Sequence, residues 1–88
     1  MANISFKLYV ASLTPKTDKM INRLNDILTK RFNNEYSFEV INVAEDRQLA
    51  EKDDIIATPT LVKSSPPQDA MIIGNLNDEK RLLEWLET

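Results

Sequence analysis

The sequence predicts a single α/β domain of order βαβ-αββα, and three stretches carry that reading. Ile4, Phe6, Leu8 and Val10 alternate with Ser5, Lys7 and Tyr9, the period of two that marks a strand. A long amphipathic segment follows and leads into a run rich in aromatic and β-branched residues. Further on, Thr58-Pro59 stands at the mouth of the apolar stretch Thr60-Leu61-Val62. An X-Pro bond is held in cis at a cost of only ~0.5–1 kcal/mol, and a proline without an N–H can open a strand but hardly pass through a sheet centre.

Each element has its own local signals. Thr14 is a good N-cap, Pro15 suits the first helical position, and Asp18 lies in the first turn. Met20, Ile21, Leu24, Ile27, Leu28 and Phe32 recur at helical spacing as one apolar stripe. Lys30 and Arg31 complement the carbonyl end of the helix, and Asn33-Asn34 stops it. Tyr36 to Val43 reads as a second strand, joined to the first as a right-handed, parallel βαβ unit. Both parallel strands are expected to be largely buried, in keeping with the adjacent apolar pair Val40-Ile41.

The carboxyl half is written in shorter, weaker signals that tertiary context is free to override. Glu45 to Lys52 predicts a short helix with Leu49 and Ala50 inward and Glu45-Asp46 at its amino end. Leu61-Val62 is a short strand, Ser64-Ser65-Pro66-Pro67 a turn, and Met71-Ile72-Ile73 a strand ending at Gly74. Asn77 is expected to cap a last helix, with Asp78 and Glu79 in its first turn. Leu82, Leu83 and Leu86 form the buried stripe of that helix and Trp85 its edge.

Composition narrows the function classes. Eighty-eight residues fit one small domain, only marginally stable, to which an oligomer or partner can add stabilisation. There is no Cys and no His, so thiol redox, thiolate nucleophiles and imidazole catalysis are not available. No cofactor is expected. Eleven basic against fourteen acidic side chains argue against nucleic acid as the main partner. The amino-terminal stretch lacks a signal-peptide pattern and no apolar run approaches the ~20 residues of a membrane helix, so no membrane partner and a cytoplasmic location are expected.

Taken in order, several segments resemble the KaiB family of circadian clock proteins, of the thioredoxin-like superfamily. Phe6-Lys7-Leu8-Tyr9-Val10-Ala11 before Thr14-Pro15 resembles its opening, and Val40-Ile41-Asn42-Val43 leads into Gln48-Leu49-Ala50-Glu51 as in that family. Ile55 to Val62 is similar to its I-x-A-T-P-T-L segment, and Pro66-Pro67 with Ile72-Ile73-Gly74-Asn75-Leu76 to its P-P…I-I-G-D-L ending. Ala70-Met71 departs from the basic pair common just before Ile-Ile-Gly.

The resemblance implies a non-enzymatic adaptor of a KaiC-type ATPase and kinase ring, in circadian timing or stress response. It implies a fold switch that keeps the front βαβ half and rebuilds the rest. One state is thioredoxin-like; the alternative is the family's ground state, of order βαββααβ, as a homodimer or homotetramer. It also places Gln48, Leu49 and Lys52 near the ring partner. Thr58, Pro59 and Gly74 are then positions of strand opening or of switching; both readings stay open.

Other features have plainer readings. Thr14-Pro15, near where a thioredoxin carries its cysteine pair, reads as helix capping. Glu45, Asp46, Glu51, Asp53 and Asp54 read as a solvated face, since an ordered calcium loop needs set ligand intervals and a Gly. Lys16, Lys19, Arg23 and Lys30 line the exposed side of the first helix. Tyr9 and Trp85 are candidate interface anchors, and Met71 is expected to fill an irregular gap. Two other functions compete: a redox-inactive sensory module like the input domain of the SasA histidine kinase, and a glutathione-dependent enzyme. For the latter, Ser12 has no base to activate it.

Overall fold

The computed structural model describes residues 4–52, 55, 57–65, 68–74, 76 and 78–86. Its elements run β1 (Ile4–Val10), α1 (Pro15–Phe32), β2 (Tyr36–Asn42), α2 (Arg47–Lys52), β3 (Thr60–Ser65), β4 (Gln68–Ile73) and α3 (Glu79–Leu86). The order is the predicted βαβ-αββα, and this is the thioredoxin-like arrangement, not the βαββααβ order of the alternative ground state. The sheet order is β2-β1-β3-β4. β1 pairs parallel with β2, while β1–β3 and β3–β4 pair antiparallel.

α1 begins as its sequence requires. Thr14 has extended backbone, and its hydroxyl accepts from the Thr17 amide at 3.2 Å, with Pro15 just inside. At the far end Asn33 takes a positive φ of 54°, which Asn tolerates better than most residues. Leu24 and Leu28 are fully buried on its inner stripe, and Met20, Ile21, Ile27 and Phe32 pack against the same core.

Alternation along the strands divides the interior between two faces of the sheet. Phe6, Leu8 and Val10 of β1, Leu61 of β3 and Ile72 of β4 meet Leu24 and Leu28 of α1 and Leu82 and Leu86 of α3. The rings of Phe6, Phe32 and Tyr36 close one end of this core at tilted and edge-on angles. On the opposite face Tyr9, Ile41 and Val62 pack with Ala50 of α2.

Several expectations need correction. β2 is an edge strand, so only Ile41 is buried in it, while Ser37 and Glu39 are exposed. Val40 and Ile41 are adjacent because they serve opposite faces: Val40 packs on the main core and Ile41 on the α2 side. α2 starts at Arg47, so Glu45 and Asp46 lie in the preceding turn, where their amides bond to the Asn42 carbonyl. Ser64 and Ser65 belong to β3 and not to a turn, because pairing with β4 lengthens both strands beyond their apolar centres. The expected cap Asn77 and turn Pro66-Pro67 fall outside the described residues. Asp78 does the capping: its carboxylate accepts from the Arg81 amide at 3.1 Å, where negative charge suits the helix dipole.

Tyr9 is no interface anchor. Its side chain is fully buried and its hydroxyl reaches the Leu49 carbonyl at 3.4 Å, tying β1 to α2. Met71 fills no gap, being 40% exposed, because α2 does not extend over β4. Trp85 is half-buried against the main core, with the Lys63 ammonium 5.6 Å from its ring centroid.

Candidate functional site

The carboxyl end of β1 and the start of α1 form one wall of an open cleft of about 480 Å³. Ser12, Lys16, Thr17 and Met20 face it from that side, and Thr58, Pro59 and Gly74 from the other. Local bonding shapes each wall. The Thr17 hydroxyl donates to the Ser12 carbonyl at 3.1 Å, drawing the β1–α1 loop against the first helical turn. The Thr58-Pro59 peptide is cis, and the Gly74 amide donates to the Pro59 carbonyl at 3.0 Å. Gly74 has φ 97°, a conformation L-residues rarely adopt, which explains a glycine here. Just below, the fully buried Thr60 donates its hydroxyl to the Ala57 carbonyl at 2.6 Å.

Gly74, distant in sequence, therefore meets Thr58 and Pro59 at one place. Gln48, Leu49 and Lys52 lie elsewhere, on α2 across the sheet. Gln48 and Lys52 are exposed and Leu49 is half-buried, so α2 offers two polar side chains around an apolar one. Glu45, Asp46 and Glu51 are exposed beside them, while Asp53 and Asp54 lie outside the described residues. Lys16, Lys19, Arg23 and Lys30 stand on the solvent side of α1, and Arg23 meets Glu79 of α3 at 3.3 Å.

Sequence reading missed Ser12, Lys16, Thr17 and Met20 as members of the cleft. Their convergence on Pro59 depends on sheet order, which no local pattern encodes. The Thr58-Pro59 dipeptide itself was the available signal. The cleft offers neither thiolate nor imidazole, since the chain has no Cys and no His.

Sheet order, crossover helix and a cis proline facing the α1 terminus define a thioredoxin-like domain without a cysteine pair. Arabidopsis thaliana thioredoxin O2 in its oxidised state superposes with a TM-score of 0.70 at 18% identity, over 97% of this chain and 76% of that one. The N-terminal domain of Synechococcus elongatus SasA superposes with a TM-score of 0.77 at 30% identity, over 99% of this chain and 86% of that one.

The KaiB domain family matches residues 7–88. Circadian clock oscillator protein KaiB of Prochlorococcus marinus strain MIT 9303 is 47% identical over 81 residues, covering 92% of this chain and 68% of that protein. The protein of the same name from Cyanothece sp. strain PCC 7425 is 46% identical over 81 residues, covering 92% and 77%. The chain belongs to the KaiB family of circadian clock proteins.

Proposed function

We propose that this chain is a non-enzymatic adaptor that binds a KaiC-type ATPase ring. The observation that carries the reading is 47% identity to a circadian clock oscillator KaiB over nearly the whole chain. The chemistry agrees with it: the full sequence supplies no thiol and no imidazole, so action falls to shape and surface.

The docking surface in this reading includes Gln48, Leu49 and Lys52, exposed or half-exposed on α2. Binding is coupled to a fold switch in which β1, α1 and β2 persist and the chain beyond Ala44 is rebuilt. Proteins whose two packings differ by a few kcal/mol are a recognised switching class. The short, weak sequence signals beyond Ala44 support this, and so does the small core under α2. If only a fraction of the chain holds the binding-competent fold, apparent affinity falls by that fraction. A homodimer or homotetramer of the other state then competes with the ring, in the cytoplasm, for circadian timing or a stress response.

Light scattering coupled to size exclusion, with and without a KaiC homologue from the same source, tests the proposal. Co-elution that weakens in Lys52→Glu is the expected result. Separate elution at all mixing ratios, together with nuclear resonances unchanged by the homologue, overturns it. The likeness to the SasA domain favours a second reading, a redox-inactive sensory module of a SasA-type system. In that case the chain works tethered to, or beside, a signalling kinase.

A further inference from the structure

An apolar residue just before a helix cap ordinarily packs onto the fourth residue of the helix and so fixes the entry of the chain. Thr14 caps α1 and Pro15 opens it, so the fourth position is Asp18, which is polar and exposed. Leu13 has no apolar partner there. At 59% it is the most exposed large apolar side chain among the described residues. The loop that carries it is nonetheless braced on both sides, by the Thr14 cap and by the Thr17 hydroxyl on the Ser12 carbonyl. A side chain held in place yet open to water is pre-organised for a contact.

Ser12, its neighbour, lines the cleft between the start of α1 and Pro59. Val10, Met20, Pro59 and Leu76 give that cleft apolar walls, and Lys16 is the only charged residue among the described ones that line it. No carboxylate among the described residues pairs with Lys16. A lone cation beside apolar walls suits an anion carried on an apolar group.

We infer that the cleft and Leu13 form one docking surface for an extended acidic segment of a partner protein, separate from the α2 surface. Spacing sets the pattern of that segment. Met20 and Lys16 lie about one turn apart on α1, roughly 6 Å along its axis, and Leu13 lies beyond the helix start. An extended chain sets every second side chain on one side, about 6.6 Å apart. An apolar side chain seated against Met20, Pro59 and Leu76 is thus followed, two residues on, by a carboxylate at Lys16. Two residues further, a second apolar side chain covers Leu13. A small carboxylate fills the cleft without reaching Leu13, whereas an extended segment uses all three contacts. The cleft walls come from both halves of the chain, so the segment binds only when they are assembled, and its binding raises the melting temperature.

Fluorescence anisotropy of the full chain with a labelled peptide, Ser-Leu-Ser-Glu-Ser-Leu-Ser, tests this with no ATPase present. Lys16→Glu is expected to weaken binding about tenfold and Leu13→Ser about fivefold. Both positions are exposed, so both variants keep the melting profile of the free chain. Added salt weakens the wild-type complex, and Gln in place of the peptide Glu, or Ser in place of either Leu, weakens it as well. Lys52→Glu on α2 leaves binding unchanged, so failure here is distinguishable from failure of the ring-binding reading. The amide resonances that move with peptide are those of residues 12–20, Thr58 and Gly74. A peptide that fails to bind at any attainable concentration overturns the inference, and so do shifts that gather on α2 instead. Displacement by hexanoate, with Leu13→Ser binding the peptide as tightly as the wild type, overturns it in favour of a small-molecule site.

Discussion

One face of the sheet is roofed by α1 and α3 and, among the described residues, buries ten in a single cluster, whereas the other carries the six-residue α2 and buries four. The two faces share the same strands, so the difference comes from the helices alone. An 18-residue helix presents several turns of apolar stripe; a helix of six presents little more than one. The thick face therefore carries most of the stability. The thin face is held by Ala50, the Tyr9 hydroxyl and a few half-buried side chains, and it stops short of β4. That asymmetry leaves Met71 and Ile73 uncovered and places the candidate α2 surface on the more weakly held side.

Substitutions on the two faces will test this inequality. Leu28→Ala empties a fully buried site under α1 and is expected to cost about 2–5 kcal/mol in denaturant unfolding. A cost under about 1 kcal/mol there, against a larger one for Ile41→Val, reverses the comparison. Asp78→Ala removes the cap that starts α3 and is expected to cost about 1 kcal/mol by the same measurement. Tyr9→Phe deletes only the long bond to Leu49 and is expected to cost about 0.5 kcal/mol globally. Its sharper readout is faster amide exchange confined to α2, which a rigid thin face would not show. Smallest is Arg23→Gln, which breaks an exposed pair with Glu79. A change of about 0.2–0.5 kcal/mol that vanishes in high salt is expected.

What the sequence disclosed follows the same division. β1 and α1 were legible because their periodicity is strict and their ends carry Thr14, Pro15 and Asn33. The place of β2 in the sheet was not legible, since a run such as Val40-Ile41 looks alike in a central strand and in an edge strand packed on both faces. β3 and β4 were read too short because Lys63, Ser64 and Ala70 break the apolar pattern, and pairing decides their length. Tyr9 shows the limit plainly. An aromatic at a nominally outward position is an anchor or a core residue depending on whether a helix lies beyond it, and α2 does. For the candidate site, Thr58, Pro59 and Gly74 were recognisable and share a cleft. The lining from Ser12 to Met20 became visible only once the strands were placed in order.

Trp85 is the sole tryptophan of the chain, half-buried on α3 with the Lys63 ammonium above its ring. Nature has thus supplied the molecule with its own optical gauge. Indole emission tracks whether the last helix is seated on the sheet, without any attached dye. A rearrangement that lifts α3 will appear as a red shift whose time course can be followed directly. One that leaves the helix in place will pass in the dark, so the colour of a single ring separates the two.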